Sequence, residues 1–477
     1  MPEAGNGMPL RGARRDDRHD VAVIGAGVVG CAIARAFALA GLGVVLIERG
    51  RDILSGASKA NSAILHTGFD AVPGSLEAAC VRDGHALYRA LHAEFGLPLL
   101  ETGALLVAWT PAELAALPEI VARARANGVE NARIVAVSDI YRIEPGLAAG
   151  ALGAVVVPGE AVIDPWSAPL AYALQAVAHG ALVLRGVEVT GGQPDAHGWH
   201  LATTAGTLRA GVVVNCAGLY GDLVEAIARP SPFAIRPRKG QFVVLDKTAR
   251  RHVRGIVLPV PNERTKGVLV SPTAFGNVIV GPTAEDQEDR RDTSVDGATL
   301  EVLHAQGGRL VPALADEPVT AAYAGLRPAT QVKDFVVEAL PERRWITVSG
   351  IRSTGLTASL GLAAHVASLH AAHFGPLPPR PEPIPVRVPN LAEESPRPWQ
   401  TPGRGEIVCH CEMVTRAELE AALDGPLPAG DLGGLKRRTR CMLGRCQGFH
   451  CTRRVLEIAT PRIGGLAALA EDPEARR

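Results

Sequence analysis

Asp20-Val21-Ala22-Val23-Ile24-Gly25-Ala26-Gly27-Val28-Val29-Gly30 decides how the rest of this chain is read. Val21 to Ile24 are small or β-branched apolar residues, the composition of a strand buried in a parallel sheet. Gly25, Gly27 and Gly30 then make G-x-G-x-x-G, and Cys31 to Ala40 continues as an Ala-rich helix. Gly25 permits the tight turn, Gly27 brings backbone against a pyrophosphate, and Gly30 lets the helix pack closely on the strand. The pyrophosphate would rest on the N–H groups of the first helical turn, at Val28, Val29 and Gly30. Outward from there, residues 43–47 form a second apolar strand that ends at Glu48 and Arg49. A carboxylate at that point can accept from both hydroxyls of an adenosine ribose. The order strand, glycines, helix, strand, acid predicts a Rossmann-like α/β domain. It does not separate FAD from NAD.

Composition bounds the remainder. The 477 residues suffice for two or three domains, and 49 Lys+Arg balance 49 Asp+Glu. A balanced charge gives no field for nucleic acid or an anionic membrane. No apolar run reaches the ~20 residues of a membrane span, so no transmembrane segment is expected. Residues 1–19 are polar and Arg-rich without an apolar stretch, and read as a disordered tail, not a signal peptide. Of eight cysteines, Cys31, Cys80 and Cys216 are scattered, while five crowd between 409 and 451. That clustering beside a nucleotide motif predicts a metal site in a reducing cytoplasm, not secretory disulfides.

After Glu48, the loop from Ser55 to Asp70 is small and polar. Its donors, around Ser58, Asn61 and Ser62, could line the ribityl and ring portion of a cofactor, and His66 lies where an aromatic ring system could approach. Glu77 to Gly96 reads as a helix, Leu99 to Trp109 as a strand, Pro111 to Asn127 as a helix, and Pro165 as the first residue of another. A β-meander over 182–209 leads to a buried strand over 212–218, whose end at Ala217 and Gly218 is a second place for backbone to meet cofactor. From Phe233 strand-like runs separated by turn residues predict an antiparallel, substrate-side sheet. Gly325 and Arg327 stand in AGLRP. Residues 348–357 read as strand, loop and helix start, with Gly355, Leu356 and Thr357 facing the cofactor and Arg352 just before them. Ten prolines between 376 and 402 mark a semi-extended linker. Beyond it lies a small domain carrying the cysteine cluster.

GAGVVG with Glu48, SGASKANSAILHTGFD, the NCAG strand end and AGLRP together resemble the D-amino-acid-oxidase-like superfamily of FAD enzymes, from about Asp20 to His373. KGQFVVLDK, KGVLVSPTAFGNVIVGPTAED and the cysteine domain are similar to one of the subunits of the anaerobic glycerol-3-phosphate dehydrogenase family. The resemblance implies FAD. It implies an FAD part at about 20–98, 150–232 and 330–375, interleaved with an α+β substrate part at 99–149 and 233–329. In SGIRSTGLT, Arg352 stands where that family's AGIESPGLT carries an acid, which shifts the pocket towards positive charge.

Cys409-His410-Cys411 and Cys446 to Cys451 give C-x-C plus C-x4-C, two tight loops of thiolates suited to iron–sulfur or zinc. CHCEMVTRAELEAAL and GGLKRRTRCMLGRCQGFHC resemble the bacterioferritin-associated-ferredoxin-like [2Fe–2S] domain. The resemblance implies that Cys409, Cys411, Cys446 and Cys451 are ligands in a small α-helical domain over 406–465, after a 376–405 linker. Cys441 is read as a thiol outside the set. Lys436, Arg437, Arg438 and Arg440 are expected to offset the cluster's charge.

These readings lead to an FAD-dependent dehydrogenase of a small anionic 2-hydroxy compound, glycerol 3-phosphate being the best match. A 2-hydroxy acid resembling 2-hydroxyglutarate, or an amino or imino acid, is the alternative. His66 is expected as the base, and Arg327 and Arg352 as the anion clamp. A flavin beside a one-electron cluster implies electron delivery to a partner flavoprotein or quinone-linked subunit, in the cytoplasm or at the membrane through that partner. The rival of another class is an electron-transfer subunit with no substrate, which would have a closed or apolar pocket.

Overall fold

The computed structural model describes residues 18–261, 267–379, 381–403 and 405–464. The expected tail falls outside the described residues up to position 17, and His19 already opens the first strand. His19–Ile24 lies between Val44–Glu48 and Gly206–Asn215, parallel to both. Leu182–Arg185 and Trp345–Ser349 extend the parallel set on either side. Val21, Ala22, Val23, Val45 and Leu46 have no exposed surface, the burial of strands covered on both faces. Helices Val28–Leu39, Ser167–Ala178 and Gly355–Phe374 share one core with the first face of this sheet. Trp199 and Trp345 pack at 5.2 Å on the other.

Local chemistry moves several expected boundaries. Leu182–Arg185 is a parallel neighbour of Val44–Glu48, not the first arm of a meander. Gly206–Asn215 is one strand whose first half pairs antiparallel with Trp199–Thr203 while its second half enters the parallel sheet. The helix expected from Pro165 begins at Ser167, because Asp164 accepts from the N–H groups of Trp166 (2.8 Å) and Ser167 (3.1 Å) and holds a turn first. The strand expected over 99–109 is divided into Leu99–Leu100 and Ala104–Ala108, with Gly103 at φ 61° between them.

The second sheet runs Val319–Ala329, Arg236–Leu245, Val278–Gly281, Leu269–Pro272, Ile256–Pro259, Ala104–Ala108, Gly153–Val157, Arg133–Val135. It is antiparallel except where Ile256–Pro259 meets Ala104–Ala108. The Pro-rich segment lies against both units: Val388 donates to Phe95 O and Glu393 to Ala274 O, each at 2.9 Å. No helix among the described residues is long and apolar enough to cross a membrane.

The cysteine domain has its own core, with Val414, Leu419, Leu435 and Val455 fully buried beneath helices Arg416–Asp424, Leu432–Thr439 and Thr452–Ala459. It is nevertheless docked through charged groups. Arg438 forks onto Asp52, with Nη2 at 2.8 Å from Oδ1, and Asp52 has no exposed surface. Arg440 pairs with Glu412 (2.9 Å) and lies 4.0 Å from the Phe275 ring centroid. Arg437 donates to Ile53 O at 3.1 Å. The expectation that these arginines offset a cluster is therefore corrected for Arg438 and Arg440: local carboxylates neutralise both, as burial of a guanidinium demands.

Candidate active site

One continuous cleft of about 2920 Å³ runs from the glycine turn to the second sheet. At its dinucleotide end, Gly25 has φ 102°, and a Cβ there would stand 2.5 Å from Cys216 O. A Cβ on Gly30 would stand 1.9 Å from Gly25 O. Both glycines are thus required by close backbone approach. Gly27 caps the helix without a side-chain hydrogen bond, so the first-turn N–H groups are not consumed by a capping side chain at that position. Val28 N–H donates to Ser58 Oγ at 3.0 Å, while Val29 and Gly30 line the cleft. Glu48 accepts from Ala26 N–H and Gly50 N–H, both at 2.8 Å, and burial pushes its carboxyl above the ordinary range. Arg49 lies 3.7 Å over the Tyr220 ring. Asn61, Ser62, Ala217, Gly218, Gly355 and Leu356 also line the cleft.

Farther along the cleft stands His66. Its Nδ1 lies 2.9 Å from Oε2 of Glu160, a residue with no exposed surface. Glu160 Oε1 accepts from Thr67 N–H (2.6 Å) and Thr67 Oγ1 (2.8 Å). Thr357 Oγ1 accepts from His66 N–H at 3.0 Å and so ties this loop to the helix Gly355–Phe374. A carboxylate is acceptor-only, so this arrangement assigns the imidazole proton to Nδ1 and leaves Nε2 as the ring's acceptor. Sequence reasoning missed Glu160: Pro158-Gly159-Glu160 reads as an ordinary turn between strands, and no local pattern announces its partner.

Arg327 sits on Val319–Ala329 opposite Arg238. A Cβ on Gly240 would come within 2.7 Å of its Nη2, so that glycine makes room for the guanidinium. Gly325, two residues back, lets the strand approach the cofactor loop, since a Cβ there would meet Ala60 O at 2.5 Å. Among the described residues, the Arg327 guanidinium makes only long hydrogen bonds, to Thr283 O (3.4 Å) and Arg238 O (3.5 Å). Burial, and then the Arg238 charge, lower its pKa. A half-buried guanidinium held only by distant carbonyls keeps donors with which it can bind an anion. Arg352 lines the same cleft, but is tied to Lys333 O and lies 3.9 Å from Glu77.

The thiols meet elsewhere. Cys411 and Cys446 lie close enough to perturb each other's ionisation, as do Cys409 and Cys451, and Cys441 is buried and feels the Cys409 thiol. Cys446 receives N–H groups of the loop after it, first that of His450, which lower its pKa. Burial pushes Cys451 and Cys441 up to about 12. Met413, Arg440, Met442 and Gln447 all have positive φ, the tight curvature that folds these loops around the thiols. Among the described residues, no three His, Cys, Asp or Glu side chains are arranged to hold a single metal ion.

With this geometry, the DAO family, described as FAD dependent oxidoreductase, matches residues 20–369. The chain belongs to that family. It is an FAD-dependent oxidoreductase, and the glycine turn, the helix start and the cleft fit the cofactor. The chain is 32% identical to the glycerol 3-phosphate dehydrogenase of Caloramator mitchellensis over 93% of this chain and 94% of that one. It is 28% identical to one of the subunits of the anaerobic glycerol-3-phosphate dehydrogenase of Escherichia coli (strain K12), over 92% of this chain and 88% of that one. Among solved structures, the dithionite-reduced, FAD-bound L-alpha-glycerophosphate oxidase of Mycoplasma pneumoniae superposes with a TM-score of 0.72 at 27% identity, covering 78% of this chain and 99% of that one.

Proposed function

We propose that this oxidoreductase dehydrogenates glycerol 3-phosphate at its secondary carbinol. The observation that carries the reading is the presence in one cleft of His66, held from behind by the buried Glu160, and of the Arg327 guanidinium, whose hydrogen-bond partners among the described residues are carbonyls alone. The names of the relatives support the same substrate. Arg327 binds the phosphate, and Arg352, already engaged by Glu77, has the lesser part. Nε2 of His66 takes the hydroxyl proton as the carbinol C–H hydride departs, and Glu160 holds the ring for that transfer and stabilises the imidazolium. FAD, bound along Gly25–Gly30, Glu48 and the 58–62 loop, supplies the two-electron acceptor.

A guanidinium accepts a carboxylate as readily as a phosphate, so a 2-hydroxy acid, or an amino or imino acid, is the second reading. The open cleft lined by charged groups argues against a carrier without a substrate. Anaerobic bleaching of the flavin by a panel of phosphates, hydroxy acids and amines tests the assignment.

We further infer that Cys409, Cys411, Cys446 and Cys451 hold a [2Fe–2S] cluster. The proximity of Cys411 to Cys446 and of Cys409 to Cys451, on loops of tight backbone curvature, supports the donor set, and tetrahedral zinc is its rival. The cluster would carry single electrons to a partner flavoprotein or quinone-linked subunit in the cytoplasm. Iron, sulfide and zinc analysis of purified protein decides between the metals.

A further inference from the structure

The end of the cleft next to Glu48 is not closed by the FAD-binding unit alone. Leu427, Pro428, Ala429 and Gly430, all from the cysteine domain, line it together with Arg49 and Arg51. This segment is fixed with unusual closeness. Leu427 is buried in the core of the parallel-sheet unit. Pro428 O accepts from Arg185 Nη1 at 2.5 Å, and Gly430 N–H donates to Asp52 Oδ2 at 3.1 Å. A Cβ on Gly430 would stand 1.9 Å from Arg51 O, and one on Gly434 would stand 1.7 Å from Asp52 Oδ2. Only glycine permits either approach.

Asp52 is the centre of the contact. It receives Arg438 Nη2 (2.8 Å), Arg185 Nη1 (3.2 Å) and Ile53 N–H (2.8 Å) as well as Gly430. Two residues on, Leu54 N–H donates to Ala26 O at 3.0 Å, inside the glycine turn. Ala26 N–H in turn donates to Glu48. The loop that receives the cysteine domain is therefore hydrogen-bonded to the turn and the acid that define the adenosine position.

We propose that residues 427–430 of the cysteine domain, pinned through Arg438 to Asp52, form one wall of the adenosine end of the FAD site, so that FAD retention depends on docking of that domain. The dependence is reciprocal by linkage: FAD must tighten the docking by the factor by which docking tightens FAD. The inference rests on FAD as cofactor and is independent of the substrate.

The test uses the full chain, stripped of flavin and titrated with FAD by flavin fluorescence. Gly430→Val and Arg438→Met should each raise the FAD Kd at least tenfold. Arg453→Ala, a change at an exposed residue of the same domain paired with Glu457, should leave it within twofold. In the unaltered chain, which needs no variant to fold, FAD should slow amide hydrogen exchange across 427–440 at least tenfold. Unchanged exchange in that segment, or parental FAD affinity in folded Gly430→Val, would overturn the proposal. Substrate plays no part in these readouts, so their failure is distinct from failure of the glycerol 3-phosphate assignment.

Discussion

Oε2 of Glu160 lies 2.9 Å from Nδ1 of His66, and the same carboxylate takes both the N–H and the hydroxyl of Thr67. The imidazole is thereby held by a group with no exposed surface, from a turn ninety-four residues away.

From this follows the first expectation. His66→Ala should slow single-turnover flavin reduction by roughly 10²–10⁴-fold, the usual share of a positioned proton acceptor. Glu160→Gln should slow it at least ~10-fold and displace its pH profile, because an amide no longer dictates the tautomer or balances an imidazolium. A Glu160→Gln enzyme with parental rate and profile would reduce Glu160 to packing.

Arg327→Met should weaken substrate binding by about 2 kcal/mol, or ~30-fold, with Arg327→Lys recovering part of the loss. Arg352→Met should cost less, since Lys333 O and Glu77 already occupy that guanidinium. Substrate-dependent flavin reduction, fitted for binding and rate separately, checks the order; equal losses would contradict it.

What the sequence made legible was local. The glycine spacing, the acid ending Val44–Glu48 and the strand-to-helix approach at Gly355 are each contained within one unit of chain. Their physical causes, positive φ and close backbone approach, act between near neighbours or along a fixed βαβ geometry. Glu160 was illegible because nothing near Pro158 distinguishes a functional carboxylate from a turn residue. Asp52 and Arg438 were illegible for the same reason at greater range. The basic run 436–440 read as a charge beside thiols, whereas packing delivers two of its arginines to carboxylates at Asp52 and Glu412.

The cysteine loops give a spectroscopic expectation. Cys446→Ser should abolish a visible iron–sulfur spectrum, while Cys441→Ser should preserve it with native iron content. Bleaching by Cys441→Ser would replace the proposed ligand set with one that includes this buried thiol.

Acid should undock the cysteine domain. The hydrogen bond from Arg445 holds Asp246 at about 2, against an ordinary value of ~3.9. Asp52 is also held below its ordinary value: burial opposes this, but the charge and hydrogen bond of Arg438 outweigh it. A depressed native pKa gives stability that is full above the unfolded value and is lost as pH falls through the folded one. Proteolytic sensitivity of the 376–403 segment should therefore be flat from about pH 7 to 5 and rise below ~4, with Asp246→Asn removing part of that acid dependence. Loosening already at neutral pH would contradict the pairings.

The most direct measurement is anaerobic mixing of the FAD-loaded chain with glycerol 3-phosphate while the flavin's visible band is followed. Full bleaching within seconds, accompanied by one equivalent of ketone product and absent with glycine or 2-hydroxyglutarate, is the predicted result. A flavin that remains oxidised with glycerol 3-phosphate while a hydroxy acid or an amine bleaches it would contradict the assignment.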